Sequence, residues 1–384
     1  MRLRLLLLGA VLGGMFGLST YQPPTVAAAT LTVCANGCPY ATIQAAIDAA
    51  QNGDVISIAP GTYTEHLTIP GAGDATRLTL QKGLGGGFFA GFPGIPTLPF
   101  LGLGGEVVVD GTANGRVLTV ETGATVNLVD LALRNGSAGA LGGGILNDGT
   151  LRLTRVRVTG NSVSNSGGGI ANRGALDVRE SEISGNSAGN SGGGINNGLS
   201  ATLTLTNSVV RDNTANTGAG GIFNVGTLTL RAVQVRGNRA GNGGGIINGL
   251  GSLTGTAVEV SGNTATVLRG GGIRNQSGGT LTLTNSFVRD NTSAHSAGGL
   301  LQDSSGAMTL TNTIITGNQA PFGGGLYVDN NRSATLRSSV VSRNTATTAA
   351  GGGGVFADTG ATLTRLATAI FANTPDNCAG VVTC

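Results

Sequence analysis

Between Gly142 and Asn373 a unit of 24 to 29 residues recurs nine times, and no other property of the chain limits its fold so strongly. Each unit opens on GGGI or a near variant, from Gly142–Ile145 and Gly167–Ile170 to Gly323–Leu326 and Gly352–Val355. Each closes on an apolar residue three positions before an Asn, as in Val158–Asn161, Ile183–Asn186 and Ile370–Asn373. One such unit cannot bury its own apolar side, so a fixed period of this length predicts a solenoid of stacked coils.

Gly is abundant, with 69 of 384 residues, and only 11% of residues are charged. Because the Gly is periodic and interleaved with Leu and β-branched residues, it marks turns of an ordered array. The first residues read as an export signal: Arg2 and Arg4, an apolar run from Leu5 to Leu18, and a small-residue site at Ala27, Ala28 and Ala29. That run is short for a spanning helix, and no transmembrane segment is expected after cleavage. Losing Arg2 and Arg4 takes the net charge from +3 to +1, which gives no electrostatic case for nucleic acid. The cysteines lie at the two ends, Cys34 with Cys38 and Cys378 with Cys384. Export favours one local disulfide at each end. A zinc site would need all four thiolates together, and a long solenoid holds them apart.

Thr42 to Asn52 has apolar residues at Ile43, Ala46, Ile47 and Ala50, with Thr42 as N-cap and Gly53 as stop. This predicts a short amphipathic helix that covers the first open end of the array. Between Gly83 and Gly105 lies a Gly/Pro-rich insertion carrying Phe88, Phe89, Phe92 and Phe100. It reads as a long loop over the first coils or as an exposed apolar contact for a partner. The expected layout is a leader over 1–29 and one solenoid domain over 30–384. Within that domain lie an N-terminal cap (30–54), the insertion (83–105), nine regular coils (142–373) and a disulfide-bonded end (374–384).

Inside each unit three short segments alternate with period two. The GGGI apolar residue, the Leu pair of Leu203-Thr204-Leu205 and Val210 of the closing segment all face inward. The fold class is therefore all-β: three parallel sheets built one rung per coil, about 11 coils long in all, or roughly 50 Å at one rung spacing per coil. Asn147, Asn172, Asn197, Asn224, Asn248 and Asn275 recur two residues after the apolar position and are expected to stack as an amide ladder. The closing Asn row makes a second ladder.

The GGGI and V/I-x-x-N motifs resemble the repeats of polymorphic outer-membrane proteins. The opening Thr42 to Ile69 resembles the start of many secreted β-helix proteins. Together these place the sequence close to the right-handed parallel β-helix proteins of the pectate-lyase-like superfamily. That resemblance implies the fold, and it spans lyases, hydrolases and adhesins. The paired-Asp and Gly-His-Gly motifs of related polygalacturonases are absent. With no C-terminal stretch long enough for an autotransporter barrel, delivery of that kind is not expected.

Little in the chain suggests assembled chemistry. His66 and His295 are isolated, and the many Ser residues lack a His or carboxylate partner at a recognisable spacing. One constellation emerges when coils are aligned: Asp303, Asp329 and Asp358 fall three residues after the GGGI apolar position on successive coils. Stacked carboxylates would repel unless a cation such as calcium neutralised them, so the row is a candidate metal site and a weak catalytic candidate. Two positions earlier lie Leu301, Tyr327 and Phe356, expected to point outward. Tyr327, Phe356 and Asp329 make a candidate ligand-binding strip. Asp also serves turns by accepting backbone N–H bonds, which is the plainer reading. On the Leu-x-Leu face, Thr204, Thr229, Thr254, Thr282, Thr309 and Thr335 share one outward position. Thr206, Thr256, Thr284 and Thr311 share the next, interrupted by Arg231 and Arg337. The expected function is that of a secreted or cell-surface protein that binds carbohydrate or another surface component, in an adhesive or structural role. The alternatives are a polysaccharide lyase or glycoside hydrolase acting in a lateral groove, and ice binding through the Thr face.

Overall fold

The computed structural model describes residues 27–72, 77–83, 105–382 and 384. The apolar part of the leader and the Phe-rich insertion lie outside them. Every paired strand runs parallel to its neighbours, and the chain winds as a solenoid. The Leu-x-Leu strands form a 13-stranded sheet from Thr30–Val33 to Thr362–Leu366. The GGGI strands and the V-x-x-N strands form two 12-stranded sheets. The array is therefore about 13 turns long, longer than the 11 expected, because Thr30–Val33 and Val55–Ile58 already pair as its first two rungs.

A fourth sheet was not anticipated. Nine two-residue strands run from Ser137–Ala138 to Thr345–Ala346, the first after Gly136 and the other eight directly after the closing Asn of a coil. Two residues carry no periodicity, so nothing in the pattern separates them from a turn. They roof a small cluster of Val163, Ala188, Ala215 and Ala240, distinct from the main core.

The core is a continuous column of inward Ile, Leu and Val contributed by the three wide sheets, including Ile145, Leu151, Leu153 and Val158 of one coil. Both Asn rows are buried inside it. Asn147 through Asn275 pass a hydrogen bond of 2.7 Å from each Nδ2 to the Oδ1 of the next rung, and Asn275 hands on to Gln302 Oε1 at 2.8 Å. In the closing row each amide reaches forward and back: Asn186 Nδ2 donates to Asn213 Oδ1 at 2.9 Å and to the Val158 carbonyl at 3.0 Å. These bonds offset the desolvation of the buried amides, with Asn147 Oδ1 at the start of the row left without a partner, and the ladders lock coil spacing.

The Gly triplet divides its work. Gly142 adopts φ +63, the left-handed region that a side chain disfavours. Gly144 does not. A Cβ there would sit 2.7 Å from the Gly169 carbonyl and 2.8 Å from Asn161 Nδ2, so it is the ladder's close approach that demands Gly.

At the start of the array a helix, α1, covers the core over Ile43–Ala49. It ends before the expected Gly53, with Ala50 as C-cap. Thr42 Oγ1 accepts from Ala45 N, and the Glu65 carboxylate accepts from Ile43 N at 2.8 Å and Gln44 N at 2.9 Å. These bonds satisfy first-turn N–H groups and put a negative charge at the helix N-terminus. Ile43, Ala46 and Ile47 are fully buried against the first strands. The disulfides pair as expected, Cys34 with Cys38 and Cys378 with Cys384.

Candidate functional site

Strand register brings Leu301, Tyr327 and Phe356 onto successive rungs of the outer side of the GGGI sheet. They point away from the main core, as alternation requires, yet they are not an open strip. Tyr327 and Phe356 stack at 5.0 Å between ring centroids, and Phe322 meets Phe356 edge-on at 5.6 Å. The guanidinium of Arg269 lies over the Tyr327 ring at 5.8 Å. Leu301 is fully buried and Tyr327 retains only 7% exposure. Side chains from the turns close over the strip and make it a second, lateral core.

The three carboxylates behind these rings do not converge. Arg274 donates from Nε and Nη2 to Asp303 Oδ2 at 3.0 and 2.6 Å. Arg269 pairs with Asp329 Oδ2 at 3.0 Å, and the Tyr327 hydroxyl donates to Asp358 Oδ2 at 2.7 Å. Asn330 Nδ2 bridges the last two, donating to Asp329 Oδ1 at 3.2 Å and Asp358 Oδ2 at 3.4 Å. Each carboxylate of the row is thus engaged by an arginine or a neutral donor of the protein. Among the described residues no group of three His, Cys, Asp or Glu side chains is placed to hold a metal ion. Burial pushes the Asp303 carboxyl above the usual carboxylate range despite Arg274. Burial, and then Asp358, hold the Tyr327 hydroxyl protonated well above its ordinary range.

His66 is occupied structurally: its Nδ1 sits 2.8 Å from the Arg116 carbonyl. His295 Nδ1 lies 3.5 Å from the Ser296 hydroxyl, and His295 is on the surface. The two belong to distant coils and share no site.

An open groove lies elsewhere, on the outer face of the Leu-x-Leu sheet in its first half. It encloses about 630 Å³ and is lined by Arg77, Thr79, Asn127, Arg152, Asp177 and Arg179, among others. Thr79, Asn127, Arg152 and Asp177 occupy one outward column on consecutive rungs. Arg152 Nε contacts Asp177 Oδ2 at 3.2 Å, and Arg179 contacts the same oxygen at 3.0 Å. Two guanidinium groups thus share one carboxylate, and Arg77 adds a third cation to the groove. The sequence signal for this site was available: the outward column that is Thr from rung 204 onward holds Asn127, Arg152 and Asp177 before it.

Residues 248–382 match the family model described as the right handed beta helix region. The chain is a right-handed parallel β-helix. No curated protein matches it in sequence. Among solved structures, pectate lyase Pel9A aligns at 12% identity and a TM-score of 0.37, covering 90% of this chain and 79% of that chain. A rhamnogalacturonan lyase aligns at 12% identity and a TM-score of 0.30, covering 83% and 82%. On this β-helix the candidate surfaces are therefore the closed aromatic patch on the GGGI sheet and the open groove on the Leu-x-Leu sheet.

Proposed function

We propose that this β-helix is an exported, cell-surface binding protein that holds a carbohydrate chain along the outer face of the Leu-x-Leu sheet without cleaving it. The groove carries this reading: it crosses successive rungs parallel to the solenoid axis, and hydroxyl, amide and guanidinium donors line it. A linear polymer laid along the axis meets the same kind of donor at each rung, and weak contacts then add up. At the closed aromatic patch Asp303, Asp329 and Asp358 are each engaged by an Arg or a Tyr, which counts against a free acid–base pair there.

Retention on immobilised neutral and acidic polysaccharides tests the proposal. Arg152→Ala combined with Arg179→Ala should weaken retention about tenfold or more, in line with the loss of charge-assisted hydrogen bonds. Absence of retention on every glycan, or retention that ignores both arginines, sinks it. A lyase or hydrolase reading rests on Asp303, whose buried carboxyl holds a proton to a higher pH than an exposed one. New reducing ends or unsaturated products, lost in Asp303→Ala, would establish that alternative instead.

A further inference from the structure

Past Asp177 the same sheet changes character, with only Thr202 and Thr204 still bordering the groove. Strand register places Thr204, Thr229, Thr254, Thr282, Thr309 and Thr335 on consecutive rungs of one outward column. Two residues upstream on the same strands, Thr202, Thr227, Ser252 and Thr280 form a second column in register with the first. The column on the other side is broken by Arg231 and Arg337. The uncharged part of the surface is thus a two-column grid. Its hydroxyls repeat about every 4.8 Å along the axis and about every 6.6 Å along the strand.

Two further observations bear on what this grid meets. First, among the described residues the grid takes up no protein hydrogen bond through its hydroxyls. Thr202 and Thr227 engage the ladder amides through their backbone carbonyls alone. Second, its spacing is fixed from behind. Leu203, Leu228, Leu253 and Leu281 are packed into the core beneath it, and the Asn197–Asn224–Asn248–Asn275 ladder ties the same coils together at 2.7 Å per step.

We propose that this grid is an ice-binding face. Each Thr offers one donor, two acceptor lone pairs and a methyl group, so the surface is at once apolar and able to anchor ordered water. A discrete small ligand would require a concave pocket with a few convergent groups, and an acidic polymer would require cations. From Thr227 onward the two columns lie outside the groove and carry no charged side chain. Their distinguishing property is uncharged repetition at fixed spacing, and the partner that repetition fits is an uncharged periodic lattice of donors and acceptors. Many weak, simultaneous contacts to such a solid need no single strong one.

The test uses the full chain in polycrystalline ice held just below melting, with grain growth and thermal hysteresis as readouts. The wild-type protein should arrest grain growth and separate the freezing point from the melting point. Thr254→Tyr combined with Thr282→Tyr sets two rings in the middle of an exposed column. It should abolish both effects with the melting temperature unchanged. Thr292→Tyr, exposed on the narrow sheet, should leave both intact. Grain growth at the rate seen with an unrelated protein overturns the proposal. So does full activity in a folded Thr254→Tyr/Thr282→Tyr protein, or equal loss in Thr292→Tyr. Glycan retention through Arg152 and Arg179 is read separately, so failure of one reading leaves the other standing.

Discussion

Arg274 places both of its hydrogen bonds on a single oxygen of Asp303, Oδ2, and leaves the buried Oδ1 without a hydrogen-bond partner. Half of a carboxylate is thus desolvated without compensation, and burial outweighs the arginine in setting its proton affinity. A carboxyl raised in the folded state binds its proton more tightly there than in the unfolded chain. Its stabilising contribution is full below the unfolded value of about 3.9 and is lost as pH rises through the higher folded value. Wild-type protein should therefore gain stability relative to Asp303→Asn as pH falls from neutral towards 4. Thermal unfolding of both proteins across that range measures it. A difference that stays constant, or that moves the other way, contradicts the assignment.

Asn224 is fully buried and links Asn197 to Asn248 by two bonds of 2.7 Å. Asn224→Ala removes the acceptor for one neighbour and the donor for the other, at about 1–3 kcal/mol for each buried group left unpaired. We expect a loss of roughly 2–5 kcal/mol by urea titration. Asn216→Ala, exposed at a turn and outside the left-handed region, should change stability by no more than about 0.5 kcal/mol. Equal effects of the two substitutions would remove the ladder from the account of stability.

At Gly144 a methyl group would press on the Gly169 carbonyl and the Asn161 amide, whereas at Gly139 nothing lies within 4 Å. Gly144→Ala should destabilise by about 1–3 kcal/mol, the range for overpacking against groups that cannot move. Gly139→Ala should be close to neutral or slightly stabilising through reduced unfolded-state entropy. Comparing their melting temperatures separates steric demand from mere Gly richness.

What the sequence made legible follows from what repeats. The inward Ile145, Leu203 and Val210 and both Asn ladders obey a fixed period, and the structure places them as that period requires. The corner after each Leu-x-Leu strand was hidden. It adopts φ near +50 in every regular coil but is filled by Arg155, Glu180, Asn207 or Ala232, so no residue type announces it. The candidate site was only half legible. Register put Tyr327, Phe356 and the three Asp residues on one side of the solenoid, but their partners Arg269 and Arg274 come from other coils. Which carboxylate meets which arginine is decided by turn geometry that a one-dimensional pattern does not carry. The groove went unread for the opposite reason: Asn127, Arg152 and Asp177 precede the regular Thr column and look like noise in it.

Asp177 offers the sharpest probe of that groove, because it accepts from Arg152 and Arg179 together. Both pairs are partly exposed, so each contributes at most about 1 kcal/mol to stability, and Asp177→Asn should leave the fold intact. The substitution frees two guanidinium groups and raises the positive charge lining the groove by one. An acidic polysaccharide should then bind several-fold more tightly, since each additional unneutralised cation favours a polyanion and strengthens the dependence on salt. A neutral polysaccharide should bind with little change. Affinity electrophoresis in gels containing either polymer, at low and high salt, distinguishes the two responses. If Asp177→Asn weakens binding of both polymers at a parental melting temperature, the carboxylate itself contacts the sugar, and the groove selects hydroxyl groups over charge.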